Sequence, residues 1–103
     1  MAALWVQFEG ATMARVAIVE QAARAWTAGT LDDGPRRRAE REAHALAGAL
    51  GTFGFAEGSR VAREIELLLG AASACRDGER LGALAAALRR ALEPAPARGA
   101  DAA

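Results

Sequence analysis

Lysine is absent from this chain, and cysteine and histidine occur once each, as Cys75 and His44. One cysteine excludes an internal disulfide and a thiolate cluster, and one histidine excludes a multi-histidine metal site. Net charge is also missing: 13 arginines offset 13 acidic residues, so no basic field draws the chain to nucleic acid. No apolar run is long enough to span a bilayer. Met1 to Gly10 has no basic residue ahead of its apolar stretch and soon meets Glu9, a pattern unlike a signal peptide. A cytoplasmic, soluble protein is therefore expected. Two-residue apolar alternation is lacking and β-branched residues are few, which argues against half-buried strands. Aromatic residues make up only 5% while 52% are hydrophobic, many of them alanine, a balance that favours closely spaced helices over a thick aromatic core.

At 103 residues the chain has the size of one domain. Four helical segments are predicted. The first spans about Leu4 to Ala28, with Trp5, Phe8, Thr12, Val16, Val19, Ala23 and Trp26 at three- and four-residue spacing. Gly10 is its expected weak point, and Gly29 suits a left-handed cap. Asp32 or Asp33 is placed to cap the second helix, and Pro35 is tolerated in a first turn. That helix buries Ala43, Leu46, Leu50 and Phe53 and is interrupted at Gly54. The third, about Phe55 to Leu69, aligns Phe55, Ala62, Ile65 and Leu69, flanked by Val61 and Leu68. The fourth, about Asp77 to Glu93, aligns Leu81, Leu84, Ala85, Leu88 and Leu92, and Pro94 stops it. The pattern predicts an all-α, antiparallel up-down four-helix bundle over residues 1–93, with a small-residue tail over 94–103 expected to be disordered.

His44 falls off the apolar stripe of the second helix. At about 100° per residue, Leu46 lies roughly opposite it and Gly48 almost directly beneath it. A glycine there costs roughly 1 kcal/mol of helix stability relative to alanine, and Gly51 repeats the cost. Arg37, Arg41, Gly48 and Gly51 share the side of the helix that carries the imidazole, within about 60° of it. Two arginine forks suited to phosphate oxygens thus precede an exposed nucleophile, and a clearing follows it. A phosphoryl carrier needs little else, since a partner that brings Mg²⁺ supplies the rest. Against this, a lone surface histidine is usually an inert solvated side chain, and Arg36-Arg37-Arg38 alone reads as a solvated helix start. Gly48, Gly51 and Gly54 are also compatible with a loop in place of a helix.

The segment Ala43-His44-Ala45-Leu46-Ala47-Gly48-Ala49-Leu50-Gly51-Thr52-Phe53-Gly54 resembles the active-site signature of histidine-containing phosphotransfer (HPt) domains. Residues 55–66, Phe55-Ala56-Glu57-Gly58-Ser59-Arg60-Val61-Ala62-Arg63-Glu64-Ile65-Glu66, are similar to the third helix of that family. Ala28-Gly29-Thr30-Leu31-Asp32 fits its connection into the histidine helix. The resemblance covers about residues 12 to 92. It implies that His44 accepts a phosphoryl group from a receiver-domain aspartate and passes it to another receiver in a bacterial-type multistep phosphorelay. It also implies that Gly48 gives the receiver's loops room. Family members commonly carry a lysine just after the histidine or three residues beyond it; here those positions are Ala45 and Ala47, which leaves Arg41 and Arg37 to provide the charge.

On this reading the chain is a phosphoryl carrier rather than an enzyme, because no general base, metal-ligand set or nucleotide loop is visible. It binds no cofactor, and Mg²⁺ is expected on the receiver. Its partners are response-regulator receiver domains or a hybrid histidine kinase, and the expected state is a monomer. Ala45, Ala47 and Leu50 are candidates for the docking surface, Leu50 being equally well explained as core. Two alternatives stay open: a degenerate HPt-like module that binds receivers or other helices without transfer, and a structural bundle that oligomerises through alanine-rich surface.

Overall fold

The computed structural model describes residues 2–70 and 78–92. They form α1 (Ala2–Thr27), α2 (Asp33–Thr52), α3 (Ala56–Gly70) and α4 (Gly78–Leu92), with no strand among the described residues. Each helix packs on two others: α1 and α3 both contact α2 and α4, and the α2–α3 seam is the most extensive. Sequential neighbours plus an α1–α4 closure give the expected antiparallel up-down bundle. The expected tail over 94–103, the boundaries at Asp77 and Glu93, and Cys75 lie outside the described residues.

The four apolar stripes meet along one axis. Val16, Val19, Ala39, Ala43, Leu46, Leu50, Ala62, Ile65, Leu69, Leu81 and Leu88 are fully excluded from solvent or nearly so. Alanines on α2 let α1 and α3 approach its backbone, so a thin core suffices. Thr12 is the buried polar residue on α1, and its hydroxyl donates to the Phe8 carbonyl at 3.0 Å, which removes the penalty of burying it.

Both interhelical turns that the glycines mark are left-handed, with φ +75° at Gly29 and +87° at Gly54. In each, the following amide reaches back five residues, Thr30 to the Ala25 carbonyl and Phe55 to the Leu50 carbonyl, both at 2.8 Å. These are Schellman closures, for which a residue without Cβ is strongly favoured.

Three expectations need correction. Phe8 is 44% exposed rather than part of the core stripe. α2 ends at Thr52, and the ring contacts of α1 near its start are to residues beside the Gly54 turn. Trp5 lies 5.5 Å from Phe53 and 4.7 Å from Phe55 between ring centroids, and Phe8 leans on Phe53 from outside at 5.9 Å. Gly10 does not interrupt α1, which is helical through it. Asp32 occupies the N-cap of α2, but its side chain makes no capping bond, nor does Asp33 cap in its stead. The Asp33 carboxylate turns to Arg36 at 2.9 Å and Arg37 at 3.2 Å instead, because two guanidinium groups one turn on outcompete backbone amides.

Candidate functional site

α2 is helical through Gly48 and Gly51, so neither glycine belongs to a loop. Helicity fixes the outward face as the spacing predicts. The His44 side chain is 75% exposed, and its Nδ1 lies 2.8 Å from Oε2 of Glu66 on α3. An ionised carboxylate only accepts hydrogen bonds, so Nδ1 is the protonated nitrogen in this contact. In the neutral ring Nε2 is then the nitrogen with a free lone pair, on an exposed ring held from the other side.

An open groove of about 610 Å³ surrounds the imidazole, walled by Arg36, Arg37, Glu40 and Arg41 from α2 and by Glu66 and Gly70 from α3. Its cations differ in their availability. Arg36 is engaged: Nη1 donates to the Leu69 carbonyl at 2.9 Å, and the same guanidinium meets Asp33 and stands 3.7 Å from Glu40. The first of these bonds caps the C-terminal end of α3 with a cation, where the helix dipole favours one. Arg37 pairs with Asp33, whose carboxyl is held below its ordinary range chiefly by the hydrogen bond from Arg36 and then by the two positive charges. Arg41, one turn before His44, is exposed and has no hydrogen-bond or ion-pair partner among the described residues. It is the groove's free cation on α2.

The two glycines after His44 play different parts. A Cβ at Gly48 would meet nothing within 4 Å, so this position is an open clearing beside the imidazole. A Cβ at Gly51 would lie 3.5 Å from Ser59 Oγ. Gly51 is thus on the α2–α3 seam, where Ser59 donates to the Ala47 carbonyl at 2.6 Å. Ala47 and Leu50, expected on the docking surface, are buried at 7% and 0% exposure, because α3 packs over that side of α2. Ala45 is half-buried at the margin of the exposed face.

Glu66 and Glu40 escaped the sequence reading, and Arg36 was read there only as part of a solvated helix start. The signal for Glu66 was present: folding α2 back on α3 about the Gly54 turn brings positions near 66 opposite His44. A helical wheel of α2 alone carries no such information.

A family model described as the Hpt domain matches residues 3–97. The chain belongs to the Hpt domain family. Hpt domains serve histidine phosphotransfer in phosphorelays and interact there with receiver domains and kinases, as carriers rather than catalysts. Neither the comparison with curated proteins nor that with solved structures returned a match. Among the described residues of this Hpt domain, no group of three or more His, Cys, Asp or Glu is arranged to hold a metal ion. No described helix is long and apolar enough to cross a membrane.

Proposed function

We propose that this Hpt domain accepts a phosphoryl group on Nε2 of His44 from a receiver-domain aspartyl phosphate and returns it to a second receiver. The observation that carries this reading is the Nδ1 contact with Glu66, which leaves Nε2 free on an exposed ring. The Nε2 lone pair attacks phosphorus, and the bond from phosphorus to the aspartate oxygen breaks with its electron pair left on the carboxylate. The ring becomes cationic as the N–P bond forms. The Glu66 carboxylate lies where that charge develops and stabilises it, while the proton stays on Nδ1. Attack by the carboxylate of a second receiver reverses each step.

Arg41 supplies positive charge toward the phosphoryl oxygens, with Arg37 at the receiver's edge of the groove. The open clearing at Gly48 admits the receiver's loops, and the exposed edge at Ala45 borders them. Mg²⁺ belongs to the receiver, this chain binding no cofactor of its own, and the setting is that of a cytoplasmic monomer.

The test is incubation with a phosphorylated receiver, then site mapping under alkaline conditions that preserve phosphohistidine. Phosphate is expected on His44 and absent from His44→Gln, whose fold stays intact because the side chain is exposed. Negatives across a panel of receivers and with phosphoramidate as a small donor, with the helical spectrum unchanged, would overturn the reading in favour of a binding module without transfer.

A further inference from the structure

A phosphoryl dianion on His44 would stand in a groove that already holds the Glu66 and Glu40 carboxylates. Like charges this close are costly unless cations intervene. Arg36 and Arg37 are drawn to Asp33, so of the arginines that line the groove only Arg41 is uncommitted.

The α2–α3 register identifies a second cation. Along the seam Glu40 lies against Gly70, His44 meets Glu66, and Gly51 faces Ser59. Each step forward on α2 is therefore matched by an equal step back on α3. Arg63 comes level with Ala47, one turn past His44 on the side of the Gly48 clearing. It stands one turn before Glu66 on α3 and is exposed, so it projects from the same face. Its neighbours Arg60 and Glu64 are bound to each other, and Arg60 also to Glu57. Arg63 has no ion-pair or hydrogen-bond partner among the described residues. By this register two uncommitted arginines lie to either side of His44 along the seam, Arg41 on α2 and Arg63 on α3.

We propose that Arg63 is the second cation that receives the phosphoryl group on His44, supplied from the neighbouring helix where α2 itself offers only Ala45 and Ala47. The inference rests on His44 being the phosphorylated residue. Arginine suits the role because its long stem crosses the clearing at Gly48 and its fork meets two phosphoryl oxygens at once.

The experiment uses the full chain loaded with phosphoramidate, so that no receiver takes part. The second ionisation of the phosphoryl group is followed by ³¹P NMR as a function of pH. Loss of a nearby cation makes the dianion harder to form, so in Arg63→Ala the midpoint should rise by roughly 0.2–0.7 pH unit, the size of a screened surface ion pair. Arg63→Lys should restore most of the shift, and transfer from a phosphorylated receiver should fall about three- to tenfold in Arg63→Ala. An unchanged midpoint with slower transfer would make Arg63 a receiver-docking residue and overturn the proposal. Absence of phosphate from His44 in the unaltered chain would overturn the carrier reading and this proposal with it. Normal loading with identical midpoints would overturn this one alone.

Discussion

On the proposed function, the reactivity of His44 depends on one contact, the 2.8 Å approach of Glu66 to Nδ1. Glu66→Ala should free the ring to rotate and to exchange its proton between nitrogens. Transfer is expected to slow by about tenfold, equivalent to losing a charge-assisted hydrogen bond of about 1.4 kcal/mol. Glu66→Gln keeps an acceptor but not the charge and should fall between. ¹⁵N shifts of His44 report the tautomer directly, and a normal rate in Glu66→Ala would leave the contact without a role. Gly48 gives the complementary case, in which stability and function oppose each other. A Cβ there enters open space, so Gly48→Ala should raise stability by about 0.8–1 kcal/mol, or about 4–8 °C in Tm. Gly48→Gln should fold as well and yet transfer poorly, because its side chain fills the clearing. Transfer at the normal rate in Gly48→Gln would show the clearing to be incidental.

At the scale of elements, the α2–α3 seam sets the distance between His44 and Glu66, and Gly58 sets how closely the seam closes. A Cβ at Gly58 would fall 3.2 Å from Leu50 Cδ1 and 3.4 Å from Leu92 Cδ2. Gly58→Val adds two further methyl groups between buried leucines, and about 1–3 kcal/mol of destabilisation is expected from overpacking. Thermal unfolding checks this, and an unchanged Tm would mean that α3 shifts outward freely. The helices themselves were legible because their apolar residues repeat with helical spacing, and Gly29 and Gly54 were legible as turns because their backbone must turn left-handed. What the periodicity could not reveal was which side of α2 faces α3. On the wheel Ala47 lies at the edge of the His44 face and Gly51 nearly in line with His44, and only the neighbouring helix decides that Ala47 is buried and that Gly51 borders the seam. Phe8 was misplaced for a related reason: its spacing is right, but α2 ends before it can cover that turn. The capping of α2 was misjudged because Asp33 has arginines for rivals.

For the molecule as a whole, closure of the ring of helices depends on the α1–α4 contact, which two charged side chains span. Arg89 on α4 reaches Glu20 on α1 through Nε at 2.6 Å and Nη2 at 2.9 Å. Glu20 is held below its ordinary value of 4.5, first by the hydrogen bond from Arg89, against the opposing effect of burial, and then by the charges of Arg89 and Arg24. A carboxylate more acidic in the folded than in the unfolded chain stabilises the fold above the unfolded value. That contribution is lost as pH falls through the folded one. The pair is partly solvated, with side-chain exposures of 21% and 44%, so its worth at neutral pH is about 0.5–1 kcal/mol. Glutamine has nearly the shape of a protonated glutamate. Urea unfolding should therefore show Glu20→Gln less stable than the unaltered chain at pH 7, and the two should converge as the pH drops from about 5 toward 3. A gap that persists in acid would assign the stabilisation to packing instead of charge. Transfer through His44 should be unaffected at neutral pH, since the clasp joins α1 to α4 while nucleophile, carboxylate and free arginines all stand on α2 and α3.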